Sequence, residues 1–232
     1  MNLYSNIIHH SNYISWFVEK KNIFLLLANL VLVLQDNSNC LRLLKVLFLW
    51  SGAIAGLLFI IMGMMIPTAL LVPKTDLSAN IIALPSSWQI PALMITGLVC
   101  GKKTGFISTV AYLVIGIFYL PIFHGGGSTG YLMTPEMGYL IGFIPAIWLV
   151  GQLSESKKQT SLIELTYYAL LGLLVIHSVG IVNIIFGSLT SRWSEGFLYL
   201  IYIYTISTLP SQFIVCPAIA IISKSLKFIL VR

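Results

Sequence analysis

The chain has 232 residues, of which 58% are hydrophobic and 9% are charged, and its formal net charge is +6. A soluble domain carries about 25% charged residues, so this composition excludes a soluble globular protein and indicates an integral membrane protein lying in a lipid bilayer. The length leaves room for about six spans and excludes a second, soluble domain, and the basic residues flank the apolar runs rather than indicating a nucleic-acid partner.

The sequence of the N-terminal region is not typical of a membrane-spanning segment. Ile23–Leu34 is an apolar run that follows Lys20 and Lys21. It is too short to cross a bilayer comfortably, and no small-residue cleavage site follows it, as a signal peptide would require. We therefore predict that residues 1–45 form an N-terminal extension, either an interfacial helix or a segment outside the core, and that residues 46–232 form the membrane domain.

Six spans are predicted after residue 45, so the expected fold class is an all-α integral membrane protein, a six-transmembrane-helix bundle. In chain order the spans are Val46–Val72, Ser87–Cys100, Thr104–Leu120, Pro135–Leu153, Leu162–Gly187 and Phe197–Ser223. The second span is short and contains Pro91, and the sixth is interrupted by Pro210. Short and proline-broken spans are typical of helices that line a binding cavity.

The distribution of basic residues predicts the orientation. With both termini in the cytoplasm, 11 of the 13 Lys and Arg residues lie inside, and only Lys74 and Arg192 lie outside. Cytoplasmic loops carry an excess of Lys and Arg. We therefore expect a multi-pass protein of the plasma (inner) membrane with cytoplasmic N- and C-termini, and the loop between the third and fourth spans faces outward.

That outward loop lies within Gly116–Phe143, and it contains no Lys, Arg, Asp or Glu before Glu136. Irregular backbone at membrane depth is tolerated only where it is buried in protein or lines a cavity. Its glycines, among them Gly126 and Gly127, permit positive φ angles, and successive N–H groups there could form an anion-binding nest. The aromatic residues of the loop region offer flat apolar faces: Phe123, Tyr131 and Tyr139. A flexible turn between two helices is the alternative.

Several polar side chains lie inside the spans, where exposure to lipid would be costly. Three of them are amides, Gln89, Asn183 and Gln212, and they are accompanied by His177 and Tyr112. Amides commonly bridge helices within membranes, and each of these residues could do only that. Together they could instead hold a neutral polar ligand group such as a urea, because each amide both donates and accepts hydrogen bonds.

Other kinds of chemistry find no support in the sequence. Gly97–Thr104 departs from the phosphate-binding loop in spacing and in the residue after the lysine, so we predict no ATP site. The chain contains no motif of a serine hydrolase or a zinc protease, and its acidic residues lie mostly in loops, so we do not predict an enzyme. No spacing of His or Cys predicts a metal site or a bound cofactor.

The first span carries small residues at four-residue spacing, namely Ser51 with Ala55 and Gly52 with Gly56. Such pairs let another helix approach closely. They predict either packing within the bundle or a docking face, at Ser51 and Ala55, for a partner membrane protein.

The segment Ser87–Leu153 resembles the BioY family, the biotin-specific substrate-binding (S) components of energy-coupling factor (ECF) transporters. The resemblance rests on an ordered set of sequence elements, which are Ser87-Trp88-Gln89, Gly101–Gly105 (GKKTG), Ala111–Leu113 (AYL), Gly116–Phe123 (GIFYLPIF), the glycine cluster and Pro135–Phe143 (PEMGYLIGF). His177 and Gly180 also fit it. The resemblance extends from about residue 46 to the C-terminus and implies a six-helix bundle of the ECF S-component type.

The resemblance further implies biotin as ligand, with a transmembrane coupling protein and two cytoplasmic ATPase subunits as partners. Gln89, Asn183 and Gln212 would then hold the ureido ring, and Tyr112, Phe123 and Tyr139 would pack the bicyclic ring and its chain. The Gly125–Gly130 loop would close over the carboxylate, and Ser51 and Ala55 stand where many S components have a docking pattern on the first helix.

The last span departs from the family pattern. Many BioY proteins place an Asp and then a Lys after a proline here, whereas this chain has Gln212 and Val215 after Pro210. The carboxylate of biotin must then be met by loop N–H groups, tyrosine hydroxyls or Arg192. Two alternatives stay open, namely an S component for another vitamin, and a membrane enzyme or structural protein.

Overall fold

The structure is a computed structural model that describes residues 38–73, 79–123, 126–157 and 160–230. The predicted N-terminal extension therefore lies outside the described residues up to residue 37, and residues 38–45 belong to the first helix. The chain divides into two compact units, Met1–Phe48 and Leu49–Arg232. The described part of the first unit is the beginning of that helix, and the contacts described below lie within the second unit.

The described chain is mainly helical. Its regular elements are α1 (Ser38–Met65), β1 (Pro67–Pro73), β2 (Ala79–Ser87), α2 (Gln89–Phe118), a 3-10 turn (Thr129–Met133), α3 (Glu136–Glu155), α4 (Leu162–Leu189), α5 (Phe197–Ile201), a π-helical turn (Tyr202–Ile206) and α6 (Leu209–Leu230). Within the described residues, five helical segments are long and apolar enough to cross a membrane: Arg42–Met65, Gln89–Phe118, Glu136–Glu155, Leu162–Leu189 and Phe197–Leu230.

The expectation that the first span runs to Val72 is wrong. Helix α1 ends at Met65, and the apolar residues after it form β1, which pairs antiparallel with β2 with Pro67 opposite Ser87. Pro67 explains the change, because the residue before a proline is disfavoured in the α conformation and the helix stops there. The first predicted span therefore ends too late, and a two-stranded sheet accompanies the helical membrane bundle.

Helix α2 contains the predicted second and third spans and turns back on itself at Gly101, which has φ 82° and ψ 178°. A Cβ on Gly105 would lie 3.4 Å from Gly97 Cα, although a straight helix would separate these residues by about 12 Å. Gln89 and Tyr112 are hydrogen-bonded at 2.8 Å, whereas a straight helix would hold them about 35 Å apart. The two halves of α2 therefore run antiparallel to each other.

The predicted interruption of the last span is present, but it precedes Pro210. Residues 202–206 form a wide π-helical turn, and α6 begins at Leu209, one residue before the proline. Proline is well suited to the first turn of a helix, where its missing N–H has no partner to lose. The proline therefore starts the second half of the span rather than breaking it.

Small residues set the distance between α1 and the two halves of α2. A Cβ on Gly56 would lie 2.5 Å from Thr96 Cγ2 and 2.7 Å from Ser108 Oγ, and these two residues belong to opposite halves of α2. Ser108 also donates a hydrogen bond to the Ala53 carbonyl at 2.9 Å. The face of α1 that carries Gly56 therefore packs inside the bundle, as small-xxx-small patterns allow.

Candidate functional site

A cavity of about 170 Å³ lies at the end of the bundle where α2 and α3 begin. Residues from β2, α2, the 3-10 turn, α3, α4, the π-helical turn and α6 meet around it. The residues lining it are Ser86, Ser87, Gln89, Ile90, Tyr131, Glu136, Tyr139, Leu140, Phe143, His177, Tyr204, Thr208 and Gln212. Pockets of this kind, with apolar walls and a few convergent polar groups, are typical of small-molecule sites.

Five residues singled out in the sequence line this one cavity, although they are distant along the chain. They are Gln89, Tyr131, Tyr139, His177 and Gln212. The turn in α2, the Pro210 start of α6 and the 3-10 turn each contribute to bringing them together. These five residues contribute two amides, an imidazole and two phenol rings to the cavity.

An imidazole–amide pair forms one wall of the cavity. His177 Nε2 and Gln212 Oε1 are 2.7 Å apart. With the amide oxygen as acceptor, Nε2 carries the proton and Nδ1 presents a lone pair. Nδ1 is buried without a partner among the described residues, on a side chain that is 4% exposed. An unpaired buried acceptor is costly to stability.

Gln89 is held in place from behind. Its Nε2 donates to the Tyr112 hydroxyl at 2.8 Å, and that hydroxyl donates to the Ile122 carbonyl at 3.3 Å. Tyr112 is fully buried, and its ring packs against Phe123 with centroids 5.3 Å apart. Tyr112 and Phe123 therefore lie behind the residues that line the cavity. Tyr112 fixes the orientation of the Gln89 amide, whose oxygen remains available as an acceptor.

Aromatic rings form much of the remaining wall. Tyr139 lies edge-on to His177 with centroids 5.6 Å apart and near Tyr204 at 6.1 Å, and its hydroxyl is 2.7 Å from Thr205 Oγ1. Tyr131 packs on Phe123 with centroids 4.9 Å apart. Burial, and then the nearby Glu136 carboxylate, raise the pKa of Tyr131, so its phenol stays protonated and can donate.

The lining residues that were not expected from the sequence include a hydrogen-bonded pair, Glu136 and Tyr204. The Tyr204 hydroxyl donates to Glu136 Oε1 at 2.6 Å. Glu136 is the first charged residue after the uncharged loop and lies in the first turn of α3, where a carboxylate is favoured by the helix dipole. Its position at the end of that uncharged stretch was a usable signal. Tyr204 belongs to the π-helical turn, which the sequence did not reveal.

The other expected site residues lie elsewhere. Gly126 has φ 132° and forms an isolated bridge with Phe123, and a Cβ on Gly127 would press on the Gly116 and Leu120 carbonyls. Neither glycine lines the cavity described above. His124 and Gly125, which belong to the same loop, lie outside the described residues.

Asn183 and Arg192 are also absent from the cavity lining and contact other residues. Asn183 Nδ2 donates to the Pro135 carbonyl at 3.2 Å and so connects α4 to the start of α3. This is the helix-bridging use of an amide. Arg192 contacts the sulfur of Met133 and lies over the Trp193 ring at 5.5 Å.

The two expected docking residues, Ser51 and Ala55, are exposed on α1.

Comparison with known proteins gives a family, several relatives and a fold. The model of the BioY family matches residues 53–231. A "Probable biotin transporter BioY" of Lysinibacillus sphaericus is 29% identical over 119 residues, covering 49% of this chain and 61% of that protein. The "Biotin transporter BioY" of Thermotoga maritima is 28% identical over 136 residues, covering 58% of this chain and 80% of that protein.

A relative from Cyanophora paradoxa, described only as an uncharacterized 21.2 kDa protein, is 31% identical over 128 residues, covering 55% of this chain and 66% of its own length. The match therefore spans less than two thirds of the Lysinibacillus and Cyanophora relatives. The crystal structure of the S-component for biotin from an ECF-type ABC transporter superposes with a TM-score of 0.58 at 24% identity, covering 79% of this chain and 92% of that one. This likeness shows the fold.

Proposed function

The chain belongs to the BioY family, and from this premise we propose that it is a biotin-binding S component, the substrate-capturing subunit of an ECF transporter. The observation that carries the proposal is the convergence of Gln89, His177 and Gln212 on one cavity. These side chains offer the Gln89 amide oxygen as an acceptor and the Gln212 amide nitrogen as a donor, since Gln89 Nε2 is bonded to Tyr112 and Gln212 Oε1 to His177. A ureido ring, with its two N–H groups and one carbonyl, is the complementary ligand.

In the proposed complex the fused ring of biotin lies between Tyr139 and Tyr131, whose rings supply flat apolar faces. Tyr112 and Phe123 act as positioning residues, because the first holds Gln89 and the second backs Tyr131. Asn183 steadies the start of α3. The backbone around Gly126 and Gly127 shapes the segment that carries Tyr131 and forms the outer cover of the site.

We further propose that the membrane domain contains six helices, with the two halves of α2 counted separately. The antiparallel arrangement of these halves around Gly101 supports this count. Lys102 and Lys103 follow that turn, and the backbone N–H of Lys102 bonds to Glu155 at the C-terminal end of α3. The cavity lies at the opposite end, where α3 begins. Basic residues mark the cytoplasmic side, so the cavity opens outward and both termini are cytoplasmic.

The proposed partners are a transmembrane coupling protein and two cytoplasmic ATPase subunits. Exposure of Ser51 and Ala55 on α1 supports docking at that face, while Gly56 packs against α2. Ala55→Trp should leave biotin binding by the isolated subunit unchanged and reduce its co-purification with the ATPase subunits, because a bulky ring blocks close helix approach. Co-purification at the wild-type level would remove this face from the interface.

The test of the proposed function is a titration of the purified protein with biotin, followed by competition with a panel of other vitamins. We expect one biotin per chain and no displacement by the other vitamins. Gln212→Leu should weaken binding by about 5- to 150-fold, because a buried partner is left unpaired. Phe213→Leu is the matched control, since Phe213 is the next residue and is exposed. Absence of biotin binding, or preference for another vitamin, contradicts the proposal.

A further inference from the structure

We propose that His177 is a positioning residue that fixes the orientation of the Gln212 amide. The cavity thereby selects a cyclic urea, which presents a carbonyl to Gln212, over a cyclic guanidine, which presents an N–H group there. The inference rests on the proposed function and adds what decides the ligand class at the same site. It follows from the different ways in which the two amides of the cavity are held.

The Gln89 amide is oriented by a group that can only accept a hydrogen bond. The Ile122 carbonyl takes the single proton of the Tyr112 hydroxyl, at 3.3 Å. That hydroxyl can therefore only accept from Gln89, whose Nε2 lies at 2.8 Å. A Gln89 amide turned over would face the hydroxyl with an oxygen that receives no proton. Gln89 therefore keeps its oxygen available as an acceptor.

The Gln212 amide depends instead on a group that can donate or accept. Within the described part of the chain its side chain has one hydrogen-bonding partner, His177 Nε2, which lies 2.7 Å from Oε1. A neutral imidazole has one N–H donor and one acceptor lone pair, and the proton can lie on either nitrogen. The orientation of the Gln212 amide therefore follows the position of the imidazole proton.

The surroundings of the second ring nitrogen decide where that proton lies. His177 Nδ1 is buried and has no partner among the described residues. A proton on Nδ1 would create a buried N–H donor without an acceptor, and such donors are rarer in folded proteins than buried acceptors without a donor. The proton therefore lies on Nε2 and is donated to Gln212 Oε1. This bond leaves the Gln212 nitrogen to donate to a ligand.

Tyr139 holds the imidazole ring in this bond. Its ring lies edge-on to His177 with centroids 5.6 Å apart, and its hydroxyl is 2.7 Å from Thr205 Oγ1. One turn after His177 on α4, a Cβ on Gly180 would lie 2.4 Å from Tyr139 Cδ1, so the ring packs directly on that backbone. Rotation of the imidazole away from Gln212 would therefore require Tyr139 to move.

The two amides together offer one acceptor and one donor. A cyclic urea supplies an N–H group to the Gln89 oxygen and its carbonyl to the Gln212 nitrogen. A cyclic guanidine has an N–H group in place of the carbonyl, so two donors would face each other at Gln212. Turning the Gln212 amide over would remove this conflict, but it would bring the amide nitrogen against the N–H of His177.

The test compares biotin with 2-iminobiotin, its cyclic guanidine analogue of nearly the same shape, by calorimetric titration of the purified full-length protein. We expect the wild type to prefer biotin by about 10⁴-fold, as sites built to hydrogen-bond a ligand group do. In His177→Phe the Gln212 amide is free to turn over, so this preference should fall by about tenfold or more. The positive charge of the guanidine is the same in both titrations.

Ser178→Ala is the matched control and should keep the wild-type preference. Ser178 is the next residue on α4, is exposed, and bonds back to the Leu174 carbonyl of its own helix. A change in preference that also occurs in this variant would assign the effect to α4 as a whole and overturn the role of His177.

A spectroscopic measurement tests the position of the proton directly. The changes His9→Gln, His10→Gln and His124→Gln leave His177 as the one histidine of the chain. Its ¹⁵N NMR signals should show a protonated Nε2 and a bare Nδ1. A proton on Nδ1 would overturn the inference.

The outcomes separate this inference from the proposed function. If the wild-type protein does not bind biotin, the biotin proposal fails and the inference falls with it. If biotin binds and His177→Phe weakens both ligands equally, the biotin proposal stands and the inference alone is overturned. Should His177→Phe fail to fold, the position of the proton on His177 decides by itself.

Discussion

Replacing Gly101 by alanine should destabilise the fold at the point where α2 turns back on itself. Gly101 has φ 82° and ψ 178°, a region that is open essentially to glycine and costs other residues about 1–3 kcal/mol. A Cβ there would also overlap Glu155 Oε1, which accepts the Lys102 N–H at 2.9 Å. Displacing this carboxylate loses that hydrogen bond, so we expect a total loss of about 2–4 kcal/mol in the free energy of unfolding.

The assay is thermal unfolding of the purified protein in detergent. For a chain of this length, the expected loss lowers Tm by about 5–15 °C. Gly130→Ala is the matched control, because Gly130 is exposed and the nearest neighbour of its added Cβ is Ser128 Oγ at 3.6 Å. Adding Glu155→Ala to Gly101→Ala should restore part of the stability by removing the overlap. A wild-type Tm for Gly101→Ala would refute the antiparallel turn.

Two further predictions concern packing and capping. Gly56→Leu should lower Tm by more than 5 °C, on the order of 2 kcal/mol or more, because its side chain would overlap Thr96 and force α1 away from α2; an unchanged Tm would show that α1 packs otherwise. Ser161→Ala should cost about 1 kcal/mol, because Ser161 and Glu164 form a capping box at the start of α4. Glu164→Gln retains the capping geometry and should leave Tm unchanged, and an equal loss in both variants would argue against the capping box.

Hydropathy predicts where the chain crosses the membrane because the signal is local. The start of α4 at Leu162 was predicted and is observed, and the capping box with Ser161 explains why it is sharp. The strand β1 was missed because Pro67–Pro73 continues the apolar run of α1 without a break in hydropathy. In that stretch the one usable signal for the end of the helix was Pro67, and a hydropathy average does not take the helix-breaking effect of proline into account.

The burial of polar groups predicts part of the site for a physical reason. An amide or imidazole in a span must find a partner, so residues such as Gln89, His177 and Gln212 are drawn inward. Helical geometry explains why Asn183 does not join His177. Six residues at 100° each place the two side chains about 120° apart around α4, and Asn183 bonds to Pro135 instead.

The residues that the sequence did not reveal depend on features without a local signature. Tyr204 reaches the cavity from a π-helical turn. This turn changes the direction in which each later side chain points around the helix axis, compared with a continuous α-helix. Glu136 has an ordinary reason to begin a helix, since a carboxylate is favoured in the first turn. Its second role, at the rim of a cavity, follows only from the packing of α3 against the segment that carries Tyr204.

A direct comparison of biotin with its diamine derivative, in which the ureido carbonyl is absent and the tail is intact, decides whether the amide-lined cavity is the ligand site. The Gln212 amide nitrogen would lose its acceptor and the two freed amino groups would be charged, and sites built around buried hydrogen bonds reject analogues lacking them by about 10⁴-fold. Calorimetric titration should therefore show one tightly bound biotin per chain and no measurable binding of the diamine. Equal affinity for the two compounds would contradict recognition of the ureido group by these residues.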